Sequence, residues 1–241
     1  MDKIAILGPK ETYSDEASKL FIQMTSLQLE KVYYDDVKTA VQSVLLENKY
    51  AVLPFENTLD GHIGQHMDLL VENNLSIETE LLLKIEFDYI TMCENPKRLY
   101  VQYVTKNQCQ DFIKSLGKIE IITTDSNVIS LDKAKNDKKS AAIIPSHLSS
   151  TLTGFSKVEQ VTDINENYTR FLIVKKKANS RYLPQKKLKV TLVVTVKNDK
   201  PGLLYEILSE FAKRDISLTS IMSRPTKKEI GKYHFFMELL I

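Results

Sequence analysis

The sequence predicts a two-lobed α/β domain followed by a smaller α+β unit, and three observations carry this. Over the first third, short apolar runs and helical periodicities alternate as β-α-β-α-β-α, for which a parallel sheet is the natural closure. A second alternating set fills residues 76–157, and the chain returns to the first lobe at 158–176. Beyond a polar, basic stretch at 175–187, a period-2 pattern opens a separate βαββ module over 188–241.

The first lobe is then residues 1–75 with 158–176. Ile4–Leu7 is a first strand, ending at Gly8-Pro9 and a hydroxyl-rich turn. A helix follows near Asp15–Leu27, with Ser14 as its N-cap and Asp15 and Glu16 suited to the positive end of the helix dipole. Lys31–Tyr34 is a strand, and Val37, Ala40, Val41, Val44 and Leu45 mark a second helix face. Tyr50–Leu53 stops at a second polar turn, and Asp60–Val71 reads as helix. In the second lobe, Ser76–Met92 and Leu99–Val104 are strand-like and Asn107–Leu116 helical. Ile119–Thr123 leads through a third polar turn to a helix at Ser126–Lys135, and Ser140–Ile144 is a strand. In the last module, Leu188–Val196 alternates as a half-buried strand. Pro201-Gly202 opens a helix through Ala212, with Pro near N1, and Ser217–Ser223 and Tyr233–Ile241 are strands.

Composition bounds the function. The chain has 241 residues, 43% apolar and 27% charged, with a net charge of +2. That balance implies no strong pull toward nucleic acid or a membrane surface. No window approaches a transmembrane helix, and the N-terminal apolar run is too short for a signal peptide. Cys93 and Cys109 lack metal-site spacing, so reduced thiols and a cytoplasmic location are expected. His62 and His66 sit four apart, a spacing that can bind zinc, but no third ligand is evident. His147 and His234 stand alone.

Asn165-Glu-Asn-Tyr-Thr-Arg-Phe171 is the most informative stretch. It sets Thr169 and Arg170 just before the apolar run Phe171–Val174, a buried strand. Strand ends in α/β proteins border ligand crevices. A fixed Thr hydroxyl can donate a hydrogen bond there, and Arg can hold a carboxylate bidentately.

These turns together resemble the prephenate dehydratase family. The family opens with Gly-Pro-x-Gly-Thr-Phe/Tyr-Ser, here Gly8-Pro9-Lys10-Glu11-Thr12-Tyr13-Ser14. Its Pro-x-Glu-Asn-Ser-x-x-Gly stands as Pro54-Phe55-Glu56-Asn57-Thr58-Leu59-Asp60-Gly61, and its Asn-x-Thr-Arg-Phe as Asn167–Phe171. A Ser-Ser-Thr-Ala turn corresponds loosely to Thr124–Asn127. The tail resembles an ACT domain, a βαββαβ regulatory unit, here incomplete as βαββ. Its effector motifs read Gly202-Leu203-Leu204 and Ser223-Arg224-Pro225.

The resemblance implies a periplasmic-binding-protein-like catalytic domain that expels hydroxide and carbon dioxide from prephenate to give phenylpyruvate, without metal or organic cofactor. It implies Thr169, Arg170 and Asn57 as catalytic residues, and Thr12, Ser14, Thr58, Ser126, Asn167 and Phe171 as substrate-binding ones. L-phenylalanine is the implied effector and a homodimer or homotetramer the implied assembly. There are departures. Glu11 replaces a Gly, harmless if it points outward and repulsive to the substrate if inward. A family Ser-His-Pro reads Val101-Gln102-Tyr103, and Met222 replaces the effector-motif Glu. Two other readings stay open: a catalytically silent binding protein, and a prephenate decarboxylase that does not aromatise.

Overall fold

The computed structural model describes residues 1–177, 189–195, 200–227, 229–230 and 232–240. Expectations for 178–187, Leu188, Val196 and Ile241 lie outside the described residues. The chain divides into two compact units, Met1–Lys177 and Ala178–Ile241.

In chain order, the first unit begins with β1 (Asp2–Leu7), α1 (Tyr13–Thr25), β2 (Leu29–Tyr34), α2 (Val37–Gln42), β3 (Tyr50–Asn57), β4 (Gly61–His62), α3 (Gly64–Glu72) and β5 (Leu75–Lys84). It continues with β6 (Phe87–Thr91), β7 (Arg98–Gln102), α4 (Tyr103–Gln108), α5 (Gln110–Ser115), β8 (Glu120–Thr124), α6 (Asn127–Asn136), β9 (Ser140–Pro145), α7 (Ser146–Ser149) and β10 (Ser156–Val158). It returns as β11 (Tyr168–Lys176). One sheet runs β2-β1-β3-β11-β5, with β4 beside β3; the other runs β10-β6-β9-β7-β8. The expected parallel closure is seen for β2-β1-β3, while β11 is antiparallel to both β3 and β5.

Alternation along β3 and β11 sends apolar side chains to both faces of the first sheet. One face packs with α1 in a cluster of Ile4, Ile6, Ala17, Phe21, Tyr50, Val52, Leu81, Phe171 and Ile173. Full burial of side chains this size contributes about 2 kcal/mol each, so this layer fixes the sheet under α1. Phe171 is therefore part of the core, 2% exposed in this cluster.

Several boundaries differ from expectation, each for a local reason. Thr12, not Ser14, caps α1: its side chain accepts from the Asp15 N–H, while Ser14 is buried inside the first turn. Residues 60–63 do not start a helix, because Gly61 at φ 72° turns the chain back so that β4 pairs with Glu56 and Asn57. Residues 76–92 split into β5 and β6, so the chain leaves the first lobe at Ile85–Glu86 instead of 75/76. Gln102 ends its strand and caps α4, accepting from Val104 and Thr105 N–H. The helix expected at 107–116 breaks at Cys109 into α4 and α5.

The second unit is an antiparallel sheet, order β12-β14-β13, of β12 (Lys189–Thr195), β13 (Leu218–Pro225) and β14 (Tyr233–Leu240), with α8 (Leu203–Ala212) between β12 and β13. Gly202, at φ 81°, is the residue before α8, and Pro201 precedes it instead of opening the helix. No helix among the described residues is long and apolar enough to cross a membrane.

Candidate active site

Two neighbouring segments join the lobes, and the motif residues gather where they leave the first sheet. Ile85 N–H donates to Asn167 O at 2.8 Å, and Val161 N–H to Phe87 O at 2.8 Å. Tyr13, on α1, reaches this crossing. Its hydroxyl donates to Glu86 O at 2.6 Å and accepts from Glu86 N–H at 2.9 Å. Burial pushes the Tyr13 pKa well above the usual phenol range, opposed only partly by the bond to Glu86. The phenol therefore stays a neutral hinge pin.

Asn57 is the hub. Its register partner on β11 is Thr169, and paired residues share a face. Its Oδ1 accepts from the N–H groups of Leu59 (2.9 Å) and Asp60 (3.3 Å), which fixes the amide's orientation. Its Nδ2 then donates to Asn167 Oδ1 at 2.9 Å, to Thr169 Oγ1 at 2.9 Å and to Tyr168 O at 3.2 Å. The direction propagates: Asn167 Nδ2 donates to Gln108 Oε1 at 3.0 Å, and Gln108 Nε2 to Asp60 Oδ2 at 3.2 Å. Asn167 is fully buried and Gln108 nearly so, where unpaired amides cost about 1–3 kcal/mol each, so the chain is held as one network. Because Thr169 Oγ accepts from Asn57, its own proton is left to donate elsewhere.

Arg170 lies on the other face. Neighbouring strand residues point oppositely, and its guanidinium meets Glu56 (Nε to Oε2, 3.1 Å), Glu80 (Nη1 to Oε2, 3.2 Å) and the Phe55 ring at 4.9 Å. The Nε is close enough to Glu56 for ion-pair attraction but out of line for a hydrogen bond. The structure thus brings Asn57, Asn167 and Thr169 together and sets Arg170 behind them with two carboxylates.

The remaining predicted residues fall nearby or apart. Thr58 Oγ1 donates to Tyr168 O (3.1 Å) and accepts from Tyr168 N–H (2.9 Å), clamping the start of β11. Thr12 and Ser14 stand at the N-terminus of α1, beyond the carboxyl end of β1 and on the sheet face that carries Thr169 and Phe171. Glu11 is solvent-exposed and adopts φ 68°, the left-handed conformation that explains a family preference for Gly there. Asp15, buried in the first turn, accepts from Glu11 N–H (3.0 Å), Lys31 (2.8 Å) and Tyr33 (2.9 Å). Burial raises its pKa, but these three donors together outweigh that and hold it below the ordinary carboxylate value. Ser126 caps α6 in the second lobe, accepting from Ile129 N–H at 3.2 Å.

Gln108 and Asp60 were not singled out in the sequence. Neither was the second-lobe set in which Thr105 donates to Gln102 Oε1 (3.3 Å) and Asn127 Oδ1 (2.8 Å). His62 faces Glu56 (Nδ1 to Oε1, 3.4 Å) and Phe55, while His66 Nδ1 meets Pro54 O at 2.5 Å. Burial lowers the His66 pKa despite that bond. The two imidazoles are thus engaged separately, and no metal-ligating cluster occurs among the described residues.

The prephenate dehydratase profile matches residues 4–179, nearly three quarters of the chain. The chain belongs to the prephenate dehydratase family. An ACT domain matches residues 190–240. A prephenate dehydratase of Methanocaldococcus jannaschii is 31% identical over 95% of this chain and 85% of its own. The solved prephenate dehydratase of Arthrobacter aurescens, in complex with L-Phe, superposes with a TM-score of 0.84 at 26% identity, covering 98% of this chain and 80% of that one. The Staphylococcus aureus prephenate dehydratase gives 0.81 at 27% identity, covering 98% and 89%. Within the ACT sheet, β12 and β13 run parallel either side of β14, with Thr195, His234 and Arg224 in one row. Ser223-Arg224-Pro225 therefore lies at the same sheet end from which β12 leads toward Gly202-Leu203-Leu204 and α8.

Proposed function

We propose that this protein is a prephenate dehydratase, converting prephenate to phenylpyruvate in phenylalanine biosynthesis. The observation that carries the reading is the directed amide network ending on Thr169, built from the family's own Asn57 and Asn167. In the reaction, the bond to the ring carboxylate breaks and its electrons enter the ring. The C–O bond breaks at the opposite carbon, and carbon dioxide and hydroxide leave as the ring becomes aromatic. Aromatisation drives the step, so the site has to orient the substrate and stabilise the departing oxygen.

The second task falls to Thr169 in this reading. Asn57 occupies a lone pair of its oxygen, so its proton is free to bond the leaving hydroxyl. A Thr is a weak acid, and hydrogen-bond stabilisation describes its part better than full proton transfer. The substrate carboxylates would be met by Thr12, Ser14 and the N–H groups opening α1, and across the cleft by Ser126 and the start of α6. Thr58 and Asn167 hold the end of β11, and Arg170 braces the same strands from behind through Glu56 and Glu80. Phe171 supports the site from the core. We also propose L-phenylalanine as effector through Gly202–Leu204 and Ser223–Pro225, a homodimer or homotetramer, and a cytoplasmic location.

The test is phenylpyruvate formation from prephenate at neutral pH, with Thr169→Ala beside the parent. Turnover by the parent that is lost in the variant is expected. A well-folded parent without turnover removes the enzymatic reading and leaves a binding protein.

A further inference from the structure

We infer that His147 is a positioning residue for the turn 10–14, reaching it from the opposite lobe. This rests on the proposed reading of that turn as substrate-facing. Glu11 holds a left-handed backbone that a non-glycine residue adopts at a cost of about 1–2 kcal/mol, and such strain persists only where the surroundings fix it. Both of its backbone polar groups are held. The N–H donates to Asp15 Oδ2 at 3.0 Å, and Asp15 is anchored in turn by Lys31 and Tyr33. The carbonyl accepts from His147 Nε2 at 3.0 Å. A carbonyl is only an acceptor, so the Nε2 carries hydrogen whether the ring is neutral or charged.

His147 is itself fixed from the second lobe. Its neighbour Ser146 donates its N–H to Glu86 O (2.9 Å) and its hydroxyl to Asp88 Oδ1 (2.6 Å), and Ser149 also bonds Asp88. The imidazole packs edge-on to Tyr13, with ring centres 5.0 Å apart, and that same Tyr13 pins the hinge at Glu86. Glu16 Oε1 lies 3.9 Å away but is paired with Lys19 at 2.5 Å. A rigid path thus runs from β6 through α7 to the one turn that carries Thr12 and Ser14. A chain that keeps Glu at this position in place of Gly has a particular need for it.

His147→Leu removes the donor and keeps bulk against Tyr13; His147→Gln keeps an N–H near the Nε2 position. The expected result is a KM for prephenate raised roughly fivefold in His147→Leu with kcat within about twofold, the pattern of lost uniform binding. His147→Gln should return KM to within about twofold of the parent. Amide exchange over residues 9–16 should quicken several-fold in the Leu variant only. Parental KM in a folded His147→Leu overturns the inference, as does a Gln variant no better than the Leu variant. Should the parent itself fail to turn over prephenate, the dehydratase reading falls separately. Exchange over 9–16 then decides alone whether His147 holds the turn.

Discussion

Asn57→Asp exchanges one NH2 for an oxygen at constant shape, and it reverses the polarity on which Thr169 depends. The Oδ1 side is untouched, so Leu59 and Asp60 N–H still find their acceptor and the turn persists. On the other side the carboxylate faces Asn167 Oδ1 at the 2.9 Å now spanned by a hydrogen bond, and it takes the Thr169 proton it previously left free. Both asparagines are buried, Asn57 to 8% exposure and Asn167 to 0%, and the Tyr168 carbonyl at 3.2 Å loses its donor as well. Two lost bonds, each turned into an oxygen–oxygen contact, together cost about 2–5 kcal/mol of stability. A donor aimed at developing negative charge is worth about 10²–10³ in kcat, and Asn57→Asp should lose that much with KM changed little. Steady-state phenylpyruvate formation and urea unfolding measure the two effects. A folded Asn57→Asp with kcat within tenfold of the parent would refute the polarity argument.

Other substitutions separate the two faces of β11. Arg170→Leu should lower stability by about 2 kcal/mol, less than for a fully buried pair because Glu56 and Glu80 are 35% and 42% exposed and can rehydrate. KM should hold; a stable variant with KM raised tenfold would mean that the guanidinium binds substrate. Asp15 has a folded pKa below its unfolded value of about 3.9, so its contribution is present above that pH and lost as pH falls through the folded value. Asp15→Asn should therefore unfold at lower urea at pH 7, yet lose less stability than the parent as pH falls below about 4. Burial, with a smaller part from Asp163, pushes the Cys109 thiol up to about 12, and the side chain is fully buried. A thiol reagent at pH 8 should label Cys93 alone in the native protein and both cysteines in denaturant.

Much of this was legible in the chain. Short continuous apolar runs such as Ile4–Leu7 and Phe171–Val174 read as buried strands, and the polar turns beside β1, β3 and β11 fall at one end of the strands of one sheet. That Asn57 and Thr169 would share a site was implied by the family resemblance, while their pairing across β3 and β11 needed the register. The opposite facing of Thr169 and Arg170 is implied by strand parity, but parity does not say which face borders the cleft. Gln108 was hidden because an amide inside a short helix carries no local pattern; its role exists only through contacts 48 and 59 residues away in sequence. The crossing at Ile85–Glu86 carries no Gly or Pro, so an apparently continuous strand conceals it. Thr12 and Ser14 are equally good caps by residue type, and Asp15 decided between them by turning its N–H to Thr12.

The most direct test of the account is kcat for prephenate in Thr169→Ser beside Thr169→Val. Serine keeps a hydroxyl that can accept from Asn57 and donate to the departing oxygen, and kcat within about tenfold of the parent is predicted. Valine keeps the shape without the hydroxyl, and a fall of roughly 100-fold or more is predicted. A folded Thr169→Val that turns over prephenate at the parental rate would contradict the claim that this hydroxyl carries the chemistry.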